Sequence, residues 1–265
     1  MTASITRSRA GSILDVLGKG LLSLGAVALL AITPAAPTTA SPTVDDIIAR
    51  CVSTRGGLKK IRSIQSLRQT GHATTGAGRH ALVTRELKRP DRVRFEFIVQ
   101  GVTAVYASDG RRGWKVSPLD GDVGVQPLPD EVVQDAIEQA DIEGPLVDWK
   151  AKGHQAELAG HEAVGGRDAY KIKLTLKSGV VSHHYIDVKD MHMLRTDTTR
   201  QARGGPVRIQ TTFGDYRKVK GILFPHLVEV QAVGRPHRLR VVVDTIEVNP
   251  RLSDARFEMP VTARP

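Results

Sequence analysis

From Gln69 onward the chain alternates apolar and polar residues, and this period of two restricts the fold more than any other feature. Val93, Phe95, Phe97 and Val99 fall on one side of an extended segment, with Arg92, Arg94 and Glu96 on the other. Tyr170, Ile172, Leu174 and Leu176 alternate with Lys171, Lys173 and Thr175. Val207, Ile209, Thr211 and Phe213 alternate in the same way with Arg208, Gln210 and Thr212. Each run reads as a strand with one dry and one wet face, the antiparallel pattern. Turn formers separate the runs at short intervals: Asp109-Gly110, Asp120-Gly121, Gly165-Gly166, Ser178-Gly179, Gly204-Gly205-Pro206 and Lys220-Gly221. Many short strands so spaced predict a sandwich or a barrel. Between Arg240 and Val248 the dry phase passes from Val241 and Val243 to Ile246 and Val248. That slip predicts a β-bulge, or a strand buried on both sides.

Helical periodicity is confined to two places. Thr43 is placed to cap a short helix with Asp45 and Asp46 in its first turn, Val44, Ile47, Ile48 and Cys51 on one face, and Gly56-Gly57 at its end. Pro129 to Ala140 carries acids in its first turn and the apolar set Val132, Val133, Ala136, Ile137 and Ala140. With no partner helix in an otherwise all-β chain, this second helix must cover the open side or mouth of a curved sheet. No internal repeat or linker follows Pro42, so residues 41–265 are expected to form one domain.

The first forty residues read as an export signal. Arg7, Arg9 and Lys19 precede an apolar run from Leu21 to Ile32, followed by Pro34, Pro37 and the small residues Thr38-Thr39-Ala40. A spanning helix needs roughly 20 apolar residues, more than this run supplies, so cleavage after Ala40 is expected. The single cysteine, Cys51, does not follow the apolar run directly, as a lipid-acceptor cysteine would. The expected product is periplasmic, soluble, unlipidated and monomeric. One cysteine allows no internal disulfide, and Cys51 reads as a small hydrophobe of the first helix.

The chain carries a formal charge of +10, of which the first forty residues supply +2 through Arg7, Arg9, Lys19 and Asp15. A basic envelope protein favours encounter with anionic lipid head groups and surface glycans. Nucleic acid is excluded as the expected partner, because aromatic residues are only 4% of the chain and its cations are spread along strands.

Lys88-Arg89-Pro90-Asp91, the Val93–Val99 strand, then Ser108-Asp109-Gly110, Trp114 and Pro118 form an ordered set. With Asn249-Pro250-Arg251-Leu252, Asp254, Phe257 and Pro260 near the end, it resembles the periplasmic lipoprotein-carrier family, the LolA/LolB-like and outer-membrane lipoprotein-sorting proteins. The resemblance implies a mainly β fold with a few helices: an incomplete, strongly curved antiparallel β-barrel whose helices cover its concave face. It also implies a cavity for lipid or for lipoprotein acyl chains, with donor and acceptor proteins at the inner and outer membranes. The implied cavity wall is Val93, Phe95, Phe97, Trp114, Tyr170, Ile172, Leu174, Ile209 and Phe213, with Val132, Val133, Ala136 and Ile137 as a lid. The arginine with which the family's carriers close their lid has no match legible in the sequence.

Other chemistry is weaker. His183 and His184 are adjacent on a strand and point to opposite faces, so with His192 they make no plausible metal set. Asp187 and Asp190, or Asp141 and Glu143, read as loop acids beside turns, and no nucleophile, phosphate-loop or dinucleotide motif is present. No cofactor, metal or catalysis is expected. Two alternatives stay open: a lipid or lipoprotein sensor that signals through a protein partner, and an envelope hydrolase using loop His and Asp residues.

Overall fold

The computed structural model describes residues 41–75, 78–121, 124–202, 205–235 and 238–260. The export segment expected over residues 1–40, and Gly204 of the Gly-Gly-Pro turn, lie outside them. Two helices come first, α1 (Val44–Arg55) and α2 (Leu58–Arg62). Six strands follow: β1 (Ser66–Thr75), β2 (His80–Lys88), β3 (Arg92–Val99), β4 (Val102–Ser108), β5 (Gly113–Val116) and β6 (Gln126–Pro127). After α3 (Asp130–Ala140) come β7 (Gln155–Val164), β8 (Arg167–Thr175), β9 (Val181–Asp187) and β10 (Met193–Ala202). The last three strands are β11 (Gly205–Val219), β12 (Ile222–Ala232) and β13 (Arg238–Val248).

All of these strands join one antiparallel sheet, in the order β6-β5-β4-β3-β2-β1-β13-β12-β11-β10-β9-β8-β7. It is two meanders, β1 to β6 and β7 to β13, welded where β1 pairs with β13. β6 and β7 stand at opposite ends of the order, so the barrel is not closed. The alternation read from the sequence is therefore a barrel signal, not a sandwich signal.

Contacts of α3 show how far the sheet curls. Val133 packs against Gly113 of β5, while Asp135 and Glu138 form ion pairs with Arg200 of β10 at 2.5 and 2.8 Å. Eight strand spacings separate β5 from β10, roughly 38 Å in a flat sheet. From Val133 to Glu138 the helix rises only about 8 Å. The strands must wrap around the helix for both contacts to exist, so the helices lie on the concave face.

Local chemistry explains the elements. Thr43 caps α1 in a capping box with Asp46, each supplying the other's backbone N–H with an acceptor at 3.0 to 3.2 Å. The phase slip in β13 is a bulge: Thr70 pairs with Thr245 and Gly71 with Val243, leaving Asp244 as the extra residue. A Cβ on Gly71 would come within 2.0 Å of the Val242 carbonyl oxygen, so the strand opposite the bulge requires glycine.

Two apolar clusters fill the concave side. One joins Leu67, Leu87, Val93, Phe224, Ile246 and Val248 to Ala140 and Ile142 at the end of α3. The other joins Tyr170, Ile172, Leu174 and Ile186 to Ile47 and Ile48 of α1 and to Leu146. A third, smaller cluster of Val105, Ala107 and Trp114 lies on the convex side. This corrects the expectation that Trp114 lines the cavity. Arg94 pairs with Ala107, and Ala107 pairs with Trp114, which puts Trp114 on the face opposite Phe95. Its indole N–H donates to the Phe257 carbonyl oxygen at 2.9 Å, and Arg94 lies 5.7 Å over its ring. Trp114 thus anchors the C-terminal segment to the outside of the barrel.

Candidate functional site

Lateral register defines the concave wall residue by residue. Phe97 pairs with Val83, Val83 with Gly71, and Gly71 with Val243. Two residues along β13, Val241 pairs with Val228, and Val228 with Phe213. Ile209 and Thr211 pair with Thr198 and Thr196, Thr196 with His184, and His184 with Ile172. The expected wall residues apart from Trp114 therefore share one face, across sheet neighbours that are far apart in sequence.

They do not share one environment. Val93 is 1% exposed beneath the α3 cluster, and Ile172 and Leu174 are 0% exposed beneath α1. Tyr170 lies with them, 6% exposed, its ring edge-on to His161 at 4.8 Å. These four are core. Phe97, Ile209 and Phe213 are half-buried and belong to neither cluster, as do Val83, Val228 and Val230. Together they line an open trough, with Thr196, Thr198 and Thr211 as its polar spots. Phe95 sits at the border, packed against the α3 cluster and stacked on Phe97 at 6.5 Å.

α3 separates the core from the trough. Val133 is buried and Ala136 packs against the cluster, Ile137 is half-buried, and Val132, 39% exposed, turns to solvent instead of into a lid seam. The polar face of α3 reaches across the barrel. Arg200 bonds Asp135 and Glu138, Ser178 donates to Glu138 at 2.8 Å, and Arg85 donates to the Gln139 carbonyl oxygen at 2.8 Å. Arg85 also donates to Gln69, and burial without a carboxylate partner pulls its guanidinium down to about 10. Burial pushes the Asp135 carboxyl upward even though Arg200 is beside it. Desolvation and the attraction of Arg200 thus oppose each other at Asp135. Sequence reasoning missed both arginines. The only signal was a cation on the dry side of an alternating strand, Arg85 between Val83 and Leu87.

His184 and Ser182 form a buried pair on the same face, with Ser182 Oγ 2.9 Å from His184 Nε2. Burial pulls the imidazole down to about 4, and its Nδ1 has no partner. A serine nucleophile would need that nitrogen oriented by a third group. His183 faces the convex side, and His192 stacks against Tyr216 at 4.7 Å. Among the described residues no group of three or more His, Cys, Asp or Glu side chains could hold a metal ion. Asp187 accepts from the backbone of Lys189 and Asp190 and pairs with Arg167, while Asp141 and Glu143 pair with Lys152 and Arg89. Cys51 packs against the α1 cluster, and burial pushes its thiol up to about 11.

No family model matches the sequence, and no curated protein matches it. Solved structures do match the fold. A LolA superfamily protein from Nitrosomonas europaea superposes with a TM-score of 0.56 at 12% identity, over 82% of this chain and 98% of that one. A DUF1329 family protein from Desulfovibrio piger gives 0.54 at 15% identity, over 82% and 98%. A domain described as an outer membrane lipoprotein-sorting protein, from Vibrio parahaemolyticus, gives 0.53 at 12% identity, over 80% and 94%. The chain therefore has the open-barrel fold of the LolA superfamily, with its helices on the concave face.

Proposed function

We propose that the protein is a periplasmic carrier that holds a lipid, or the acyl chains of a lipoprotein, in the trough lined by strands β2, β3 and β10 to β12. The observation that carries this reading is the half-buried apolar strip of Phe97, Val83, Val228, Val230, Ile209 and Phe213, beside two filled cores. An acyl chain needs a dry concave wall and no reacting groups, and gains about 0.8 kcal/mol for each methylene it buries there. The fold shared with a lipoprotein-sorting domain supports the reading. So does the way side-chain ion pairs, not a sealed apolar seam, tie α3 to β10, since a carrier must release its cargo. Among the described residues no helix is long and apolar enough to cross a membrane, and the export signal expected over residues 1–40 supports an envelope location. The reading includes no catalytic step.

The test is native mass spectrometry with lipid extraction on detergent-free protein, followed by titration with a fluorescent fatty acid. A stoichiometric lipid or acylated peptide is the expected result. Replacing Phe97 and Phe213 together by alanine is expected to weaken probe binding at least tenfold, or about 1.4 kcal/mol. Empty protein that also refuses the probe would sink the carrier reading.

A further inference from the structure

The large hydrophobic side chains that remain exposed are not scattered. Leu82, Val102, Leu119, Val181 and Val233 are 62, 39, 45, 40 and 48% exposed, and Val132 of α3 is the sixth of this class among the described residues. In a meander, alternate connections lie at the same end of the sheet. β1 meets β13 with Thr75 opposite Leu239, which puts the β1–β2, β3–β4 and β5–β6 connections at the same end as β8–β9, β10–β11 and β12–β13. Leu82 lies near the start of β2, Val102 begins β4, and Leu119 lies between β5 and β6. Val181 begins β9, and Val233 follows β12. All five therefore belong to this one rim. The connections at the other end, β2–β3, β4–β5, β7–β8, β9–β10 and β11–β12, expose no large hydrophobe among their described residues.

We propose that this rim docks on the surface of an anionic phospholipid bilayer, with Leu82, Val102, Leu119, Val181 and Val233 entering the head-group layer. Five apolar side chains, on five separate connections or on the strand residues next to them, form no groove for a folded partner. They suit a soft, planar one, into which each can sink independently. Exposed Arg79, Lys177, Arg235 and Arg238 stand on the same connections and supply the complementary charge. The opposite end is also basic, with exposed Arg111, Arg112, Lys189 and Lys218, but carries a single exposed large apolar side chain, Val132 at the start of α3 beside Gly113, against five on the rim. Charge thus attracts the protein to the membrane, and the apolar rim decides which end faces it. The trough residues nearest this rim, Ile209 and Val230, would then open toward the lipid. This docking does not depend on the carrier reading, since a protein that carries nothing would still dock.

Sedimentation with vesicles of phosphatidylcholine and phosphatidylglycerol, mixed three to one, tests it. The protein should begin at Ser41, because every described strand and helix lies after that residue. The combined variant Leu82→Thr, Val102→Thr, Leu119→Ser, Val181→Thr and Val233→Thr is expected to partition at least tenfold more weakly. A control, Arg111→Gln with Lys218→Gln, should lose less than half of the binding. Circular dichroism and the lipid content of the purified variant should stay unchanged, which separates failure of docking from failure of cargo binding. Two outcomes overturn the proposal: no binding of the unaltered protein to these vesicles, or equal binding by the rim variant.

Discussion

On β8, Ile172 and Leu174 lie under α1 and are withdrawn from solvent, whereas Ile209 and Phe213 on β11, three strands away, face the same side and remain half-exposed. The residue types are alike, and so is the alternation that produces them. What differs is the cover. α1 is fixed by its capping box and by the burial of Ile47 and Ile48, and it seals one part of the wall. Among the described residues, no helix side chain joins Ile209 and Phe213 in an apolar cluster. A concave sheet can thus divide its apolar face into a part that holds the fold and a part left to hold something else.

The first prediction tests the sealed part. Leu174→Ala removes a side chain that is 0% exposed and has no ready means of collapse beneath α1. Loss of about 3 kcal/mol of unfolding free energy is expected in denaturant titration. Binding of the fatty-acid probe, measured well below the unfolding midpoint, should be unaffected. If Leu174→Ala instead weakened the probe as much as the phenylalanine pair does, the division into core and trough would be wrong.

His184 sharpens the comparison by pH. It lies between the two parts, paired across the sheet with Ile172 on one side and Thr196 on the other. Burial lowers its folded-state value from 6.5 to about 4. The unfolded chain therefore takes up a proton first as the pH falls. The contribution of neutral His184 is fully present above about 6.5, declines below it, and is lost by about 4. At most it amounts to about 3 kcal/mol. His184→Gln should remove this part of the acid sensitivity, flattening the stability profile between those limits. An unchanged slope would mean that the imidazole is solvated and that the wall between the two parts is wet.

Much of this arrangement was legible in the sequence, and the illegible parts have a common cause. Alternation places Val93, Phe95 and Phe97 on one face because a strand's side chains have period two. Capping residues and a clean apolar face located α1 and α3. Trp114 failed because its face depends on the registers across two turns, and residue counts in turns do not reveal register. The split between core and trough also escaped, since it rests on which helix covers which strand. The weld of β1 to β13 joins residues about as far apart in sequence as the domain allows, Leu67 to Val248. Nothing local announces it. Arg85 stands out only as a cation on a dry face, and Arg200 reads as an ordinary strand cation, until the sheet curls and brings α3 over them.

The smallest expected effect concerns the bar between the two parts. Arg200 ties α3 to β10 through Asp135 and Glu138, with Arg200 itself 27% exposed. Ion pairs that keep this much contact with solvent contribute about 0.2–1 kcal/mol. Arg200→Gln should therefore leave the unfolding midpoint almost unchanged. Its effect should appear in rates instead: a helix held less firmly across the mouth lets cargo leave sooner. Stopped-flow displacement of the fluorescent fatty acid is expected to show two- to fivefold faster release, with a smaller change in equilibrium affinity. Release at the original rate would mean that Val133, Ala136, Arg85 and Ser178 hold α3 without help from Arg200. The trough would then exchange its contents past a fixed helix and not beneath a moving one.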